Sequence, residues 1–155
     1  MSQNVIVAGV GMIPFTKPGA SLPYDDMGAQ AAILALRDAG LAYADVQQAA
    51  VGYVYGDSTC GQAALYRVGM TGIPVFNVNN NCSTGSSALF LARQLVASGA
   101  VDCALALGFE QMQPGALKSH WDDRVSAFRR FDALCDEINP YPDIPLAQRD
   151  RKSVV

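Results

Sequence analysis

Short apolar runs and longer helical patterns alternate over the first two thirds of the chain. Val5-Ile-Val-Ala-Gly-Val is an uninterrupted apolar run of strand length, which is typical of a strand buried on both faces. Residues 24–39 instead repeat apolar side chains at helical spacing, with Asp25 and Asp26 in the first turn and Gly40 at the end. This part of the pattern therefore predicts a strand followed by a helix.

The same alternation continues to residue 108. The pattern predicts strands over 49–55, 75–79 and 100–108, and helices over 62–70 and 82–98. The resulting order β-α-β-α-β-α-β is typical of an α/β layered fold. Because the predicted helix 82–98 is apolar or small nearly all round, we expect it to be buried on most faces.

The character of the chain changes after Gly108. From Gln113 onward, Pro, Asp, Arg and aromatic residues mix without a clear period, so we expect an irregular segment. The last residues, Asp150-Arg-Lys-Ser-Val-Val, match the translation of the start of a widely used sequencing adapter. We therefore expect residues 150–155 to be a non-native tail with no part in the fold.

Composition narrows the class of protein. Half of the 155 residues are apolar, 16% are charged and the net charge is −3, which predicts a globular domain without a basic surface for nucleic acid or an anionic membrane. No apolar run approaches the ~18 residues of a membrane span, and no basic leader precedes the first apolar run. We expect a cytoplasmic protein with neither a nucleic-acid partner nor a membrane span.

Cys82 is the candidate nucleophile. It follows the apolar run Ile73-Pro-Val-Phe-Asn-Val-Asn and an asparagine pair, and it precedes a helical stretch of small residues. This order predicts a cysteine at a helix N-terminus, where unpaired N–H groups and the macrodipole favour an anion and hence the reactive thiolate. A lone cysteine before a helix is more often a small buried hydrophobe, so this feature alone leaves both interpretations open.

The other candidate features point away from a metal or a bound cofactor. Cys60, Cys103 and Cys135 lie far apart without a C-x-x-C pair, so they are expected to be reduced, ordinary thiols. Gly9-Val-Gly begins like a dinucleotide fingerprint, but Pro14 stands at the third glycine position and no helix starts there. His120, a formal candidate for the base beside Cys82, is expected to be a loop or surface residue.

Four segments resemble the thiolase family, specifically thiolases of the sterol carrier protein X type. They are Gly52-Tyr-Val-Tyr-Gly-Asp-Ser-Thr-Cys-Gly-Gln, Thr71-Gly-Ile-Pro, Asn77-Val-Asn-Asn-Asn-Cys-Ser-Thr-Gly-Ser-Ser-Ala-Leu and Leu105-Ala-Leu-Gly-Phe-Glu-Gln-Met. The resemblance covers roughly residues 5–130 and favours the nucleophile interpretation of Cys82. It implies an α/β fold: a five-layer α/β/α/β/α arrangement of two similar halves, with a loop domain inserted in the first.

The resemblance also implies domains, chemistry and partners. Residues 1–108 correspond to most of the first half, and residues 109–149 to the start of the loop domain. Cys82 takes up an acyl group from a 3-ketoacyl-CoA and passes it to coenzyme A, with its own backbone N–H as one oxyanion donor. Acyl-CoA and CoA are then substrates rather than bound cofactors, the full-length protein is a homodimer, and a eukaryotic member is peroxisomal.

The family resemblance identifies what this sequence lacks as well. The activating histidine, the second catalytic cysteine and the histidine of the other oxyanion hole belong to the second half of thiolases, and neither a Gly-His-Pro nor a His-Asp-Cys-Phe segment occurs here. We therefore expect an N-terminal fragment that is inactive alone. The alternatives are a noncatalytic lipid-binding or assembly module and, within the same fold, a condensing ketosynthase.

Overall fold

The computed structural model describes residues 4–115 and 123–138. The chain divides into two compact units, Met1–Ala116 and Leu117–Val155. The first unit contains all the strands found in the described residues. In chain order its elements are α1 Tyr24–Ala39, a 3-10 turn Tyr43–Asp45, β1 Gln48–Gly52, α2 Cys60–Tyr66, β2 Val75–Val78, α3 Thr84–Ala97 and β3 Ala104–Gly108.

The three strands form one parallel sheet in the order β2-β1-β3. Side chains alternate between its faces, so Val51 faces α2, where a Cβ at Gly61 would lie 2.8 Å from the Val51 Cβ, and Gly52 faces α3. α1 packs on α2. The unit is therefore a three-layer α/β/α structure, and the α/β class predicted from the sequence is confirmed.

The core lies mainly between the sheet and the α1/α2 layer. Its largest fully buried side chains are Leu65 and Val51. On the opposite face of β1 and β3, Gln48 begins β1, and the other residues are Ala or Gly, namely Ala50, Gly52, Ala104, Ala106 and Gly108. Because these residues are so small, the α3 backbone can approach the sheet closely.

The first predicted strand is wrong. The segment 5–10 pairs with no strand among the described residues, and its apolar side chains face solvent, with Ile6 82% exposed. It lies instead along α1, where a Cβ at Gly9 would come within 2.5 Å of the Ala35 carbonyl oxygen, and the Val10 N–H donates to Asp38 Oδ2 at 2.9 Å. The physical reason is that a strand needs a neighbour for its N–H and C=O groups, and β3 does not pair with it.

The other predicted elements exist with shifted ends. α1 has the predicted bounds, whereas β1, α2, β2, α3 and β3 are shorter or displaced by up to a few residues. The expectation that the third helix is buried on most faces is wrong. Only Thr84, Ala88 and Ala92 of α3 are buried, while Leu89 and Phe90 are 57% and 55% exposed.

The second unit contains one described helix, α4 Arg129–Glu137. The prediction of an irregular chain beyond Gln113 is therefore wrong at this point. Phe131, Leu134 and Cys135 recur at helical spacing, but the helix is short and its apolar residues are few, so its period is easily missed. Residues 139–155, including the predicted tail, lie outside the described residues.

Candidate functional site

The carboxyl ends of the three parallel strands meet at one edge of the sheet. We call the carboxyl edge the three segments that follow these strands, 53–59 after β1, 79–83 after β2 and 109–112 after β3. In open α/β sheets ligands bind in the crevice outside the carboxyl ends of the strands. Any site built on this sheet is therefore expected at the carboxyl edge, which is where Cys82 lies.

Cys82 is exposed and stands immediately before the N-cap of α3. The N-cap is Ser83, and the helix begins at Thr84, two residues later than the sequence pattern predicts. Asn81 adopts a left-handed conformation with φ +50°, which asparagine tolerates better than most residues. The Cys82 thiol makes a long hydrogen bond of 3.8 Å to the Asn81 Oδ1 and is exposed.

The turn that carries Cys82 is held through Asn80. The Asn80 N–H donates to Thr84 Oγ1 at 2.7 Å, its Nδ2 donates to Ser87 Oγ at 2.9 Å, and its carbonyl oxygen accepts from both the N–H and the hydroxyl of Ser83. The Thr84 N–H in turn donates to the Asn81 carbonyl oxygen at 3.1 Å. Hydrogen bonds thus tie the residues on both sides of Cys82 to the first turn of α3.

Gly52 allows the start of α3 to lie close to the sheet. A Cβ at Gly52 would lie 2.6 Å from both the Cγ2 and the carbonyl oxygen of Thr84, so only glycine permits this contact. A Cβ at Gly108 would meet the Gly85 Cα at 3.5 Å, an ordinary contact. The start of α3 therefore rests directly on the carboxyl end of β1.

Glu110 organises the segment that follows β1. Its two carboxylate oxygens accept the N–H groups of Val54 and Tyr55, both at 2.9 Å. Hydrogen bonds to a charged acceptor are stronger than neutral ones, and this pair bridges two strand ends. Glu110 therefore links the β3 end of the carboxyl edge to the β1 end.

An aromatic stack closes the same region on the α1 side. The Phe109 ring lies between Tyr24 and Tyr53, with centroid distances of 5.4 and 5.3 Å. The Tyr53 hydroxyl accepts from the Cys60 N–H at 3.2 Å and donates to the Asp57 carbonyl oxygen at 2.8 Å. The pKa of Tyr24 is raised to about 12, mainly by a hydrogen bond with the Cys60 side chain and to a smaller extent by burial.

The remaining predicted candidates lie elsewhere. Cys60 is buried at the start of α2, and Cys103 is half-buried just before β3, where burial raises the pKa of its thiol. Cys135 lies in the second unit, and His120 lies outside the described residues. Within residues 4–115 and 123–138, no three His, Cys, Asp or Glu side chains group closely enough to hold a metal ion.

Sequence reasoning did not identify the residues that support Cys82. Thr84, Asn80 and Gly52 lie inside the segments that resemble the thiolase family, but the contact of Gly52 with Thr84 depends on the packing of α3 on the sheet. The sequence gives a stronger signal for Glu110, because this acidic residue comes two positions after the end of a predicted strand. Such a position predicts the carboxyl edge of a sheet.

The fold is that of the thiolase-like class. The structure superposes on that of a beta-ketoacyl-[acyl-carrier-protein] synthase III from Thermus thermophilus, over 67% of this chain and 32% of the other, with a TM-score of 0.50. The two sequences are 23% identical, so this is a likeness of fold alone. The family model described as "Thiolase, N-terminal domain" matches residues 5–131. The chain belongs to the thiolase family.

Individual relatives refine this assignment. The chain is 57% identical over 143 residues to "Sterol carrier protein 2" of Homo sapiens, covering 90% of the chain and 26% of that protein. It is 35% identical over 112 residues to "Benzoylsuccinyl-CoA thiolase subunit BbsB" of Thauera aromatica, covering 71% of the chain and 29% of that protein. The chain thus spans about a quarter of the length of these relatives. No helix in the described part of the chain is long and apolar enough to cross a membrane.

Proposed function

We propose that this chain is the N-terminal part of a 3-ketoacyl-CoA thiolase of the sterol carrier protein X type. The observation that carries the proposal is the exposed thiol of Cys82 at the start of α3, on the carboxyl edge of a thiolase-like sheet. Support for CoA thioesters as substrates comes from the name of the Thauera aromatica relative, a benzoylsuccinyl-CoA thiolase subunit. Acyl-CoA and free CoA are then substrates, and no resident cofactor takes part.

The proposed reaction has two steps. In the first, the Cys82 thiol gives up its proton, its sulfur bonds to the 3-keto carbon of the substrate, the C2–C3 bond breaks, and acetyl-CoA or propionyl-CoA leaves once C2 has taken up a proton. In the second, the sulfur of free CoA gives up its proton and bonds to the acyl carbon. The bond to Cys82 then breaks, a shortened acyl-CoA is released, and the cysteine returns to its starting state.

The residues of this chain have limited roles in that scheme. Cys82 is the proposed nucleophile, and its backbone N–H, at the positive end of the α3 dipole, is a proposed oxyanion donor. The proton-transfer groups of thiolases belong to the second half of the family's fold, and this sequence contains neither a Gly-His-Pro nor a His-Asp-Cys-Phe segment. We therefore expect little or no turnover from residues 1–155 alone.

The activity test uses the complete gene product and two cysteine variants. Cys82→Ala should abolish CoA-dependent loss of the magnesium-enolate absorbance of a 3-ketoacyl-CoA, because alanine keeps nearly the same volume without a nucleophile. Cys103→Ala is the matched control, since Cys103 is half-buried, and it should retain most activity. Retained thiolysis in the Cys82→Ala protein would mean that another group is the nucleophile.

A noncatalytic lipid-binding or assembly module is the second candidate. The observations that favour it are the names of two relatives, "Sterol carrier protein 2" and the Caenorhabditis elegans "Non-specific lipid-transfer protein-like 2", which is 53% identical over 148 residues. The coding DNA beyond codon 149 separates the candidates. Continuation to a Gly-His-Pro segment favours the thiolase, and a genuine stop codon there favours the module.

We also propose a homodimer for the full-length protein, built on the outer edge of β2. β2 pairs with β1 on one side only within the described residues, which leaves N–H and C=O groups of the other side available to a second copy. An open groove of about 910 Å³ beside β2, lined in part by Phe76, Val78 and Leu91, adds apolar surface there. Analytical ultracentrifugation of residues 1–155 should show self-association or aggregation, and a stable monomer that unfolds cooperatively would contradict this assembly.

A further inference from the structure

Thr84 combines burial with two different contacts at the start of α3. It is 4% exposed and is the one buried polar residue in the part of the chain that the structure describes. Its hydroxyl accepts the Asn80 N–H at 2.7 Å. A buried hydroxyl with a specific backbone partner is expensive to disturb, because removing it leaves the N–H without an acceptor.

The other side of Thr84 is pinned to the sheet. Its methyl group and its carbonyl oxygen occupy the space above Gly52 so closely that a Cβ there would lie 2.6 Å from each. The hydrogen bond from the Asn80 N–H selects the side-chain rotamer, and the methyl contact with the sheet adds to it, since a β-branched residue has few alternatives in a helix. The hydroxyl therefore has a fixed position relative to β1.

This fixed hydroxyl determines where the turn before α3 can lie. Asn80 is the residue it holds, and Ser83 and Ser87 hold the carbonyl and side-chain amide of the same Asn80. Cys82 stands inside the segment bounded by these contacts, and its own thiol makes a long hydrogen bond of 3.8 Å. Its position is therefore set by its neighbours and not by its own side chain.

We propose that Thr84 is a positioning residue for Cys82, and that its hydroxyl aligns the thiol for acyl transfer through Asn80. The inference rests on the proposed function, because it assigns Thr84 a role in acylation of Cys82. A displacement of a reacting group by about 1 Å can slow a reaction by ~100-fold even when the substrate still binds. The effect is thus expected in the rate of the chemical step and not in substrate affinity.

The test compares Thr84→Val with Thr84→Ser in the complete gene product. Valine keeps the branched shape and removes the acceptor, whereas serine keeps the acceptor and removes the methyl group. With acetoacetyl-CoA as the probe, the acylation rate at saturation should fall roughly 10- to 100-fold in Thr84→Val, with the half-saturating concentration unchanged. Thr84→Ser should stay within about threefold of the original rate, since the hydroxyl is what the proposal requires.

Alkylation by iodoacetamide separates misalignment from unfolding. This small reagent needs no particular approach, so alkylation of Cys82 should change by no more than about twofold in Thr84→Val. Buried Cys60 should stay unreactive in every folded variant. The proposal is overturned if Thr84→Val is acylated at the rate of the original protein. It is also overturned if both Thr84 variants are slowed equally.

Rapid labelling of Cys60 would show that Thr84→Val does not fold. In that case a third variant tests the positioning role. Ser87→Ala removes the acceptor of the Asn80 side-chain amide, and alanine is favourable in a helix, so this variant should fold. It should slow acylation about threefold, and an unchanged rate would overturn the proposal.

Failure of the proposed function gives a different result from failure of this inference. If the original protein takes up no acyl group at all, the thiolase assignment fails. Hydrogen exchange of the Asn80 amide then tests the positioning role. Exchange at least tenfold faster in Thr84→Val than in Thr84→Ser supports a hydroxyl that holds the turn, and equal exchange in the two variants overturns it.

Discussion

At the carboxyl edge, backbone N–H groups are held by side chains of the same unit, whereas the outer surfaces of that unit carry large apolar side chains that face solvent. Thr84 and Glu110 accept three backbone N–H groups around the site. On the outside, Phe15 is 92% exposed, and Leu89 and Phe90 project from α3. The site is thus supported locally, while the outer apolar surfaces require a cover that the described residues do not supply.

This contrast indicates which part of the molecule should fold in isolation. Interactions around Cys82 connect β1, α3 and the end of β3, all of which lie between residues 48 and 110. The apolar surfaces over residues 6–15 and on α3 instead match the finding that the chain spans about a quarter of its relatives. The account therefore predicts a formed but incomplete site on a unit with poor solubility.

Thiol labelling gives the largest expected contrast. In the native chain iodoacetamide should modify exposed Cys82 first, half-buried Cys103 more slowly and buried Cys60 last, by orders of magnitude. Because burial raises the pKa of Cys103, less thiolate is present at neutral pH, and its labelling should increase at higher pH than that of an ordinary thiol. Peptide mass mapping provides the order, and labelling of Cys82 no faster than Cys60 contradicts an exposed site.

Substitution of Gly52 should break the contact between sheet and helix. A Cβ in Gly52→Ala would lie 2.6 Å from the Thr84 carbonyl oxygen, and relief of such overpacking typically costs about 1–3 kcal/mol of unfolding free energy. Gly85→Ala is the matched control, because a Cβ there meets nothing within 4 Å and alanine favours a helix. Urea unfolding measures both, and equal stability of the two variants would contradict the close seat of α3.

Glu110→Gln should loosen the link between β3 and the segment after β1. Glutamine offers one acceptor oxygen where the carboxylate offers two, so one of the Val54 and Tyr55 N–H groups loses its partner. We expect a loss of about 1–2 kcal/mol in unfolding free energy and faster amide exchange at one of these positions. Asp102→Asn, on an exposed side chain, is the control and should change stability little.

Leu89→Gln should have the smallest effect. Leu89 is 57% exposed, so its replacement should change the unfolding free energy of residues 1–155 by no more than about 0.5 kcal/mol while improving solubility. Ala88→Gln is the neighbouring control, and it should destabilise strongly because Ala88 is fully buried. A large loss of stability in Leu89→Gln would mean that this face of α3 is already covered.

Sequence patterns predict an element well when its signals are local. α1 has matching ends because Asp25, Asp26 and Gly40 are local signals, and Gly40 indeed adopts a left-handed conformation with φ +68°. The segment 5–10 was predicted as a strand because apolar runs indicate a need for burial, but they do not name the neighbouring strand. Its pairing depends on tertiary partners that the pattern cannot identify.

One residue of the candidate site, Cys82, could be predicted from the sequence, whereas the residues that hold its turn could not. Cys82 stands out because the order strand, polar turn and helix is readable along the chain. The contact of Gly52 with Thr84 joins residues 32 positions apart, and the hydrogen bond of Glu110 with the Tyr55 N–H joins residues 55 positions apart. Sequence periodicity carries no information on such pairs, whereas parallel pairing and helix packing create them.

The measurement that tests the central claim most directly is the location of the trapped acyl group. The complete gene product is mixed with acetoacetyl-CoA without free CoA, quenched with acid and digested, and its peptides are mapped by mass spectrometry. The account predicts an acetyl group on the peptide that contains Cys82, attached to its sulfur and removed when free CoA is added before the quench. An acetyl group on Cys60, Cys103 or Cys135, or none on any cysteine, would contradict Cys82 as the acyl-accepting nucleophile.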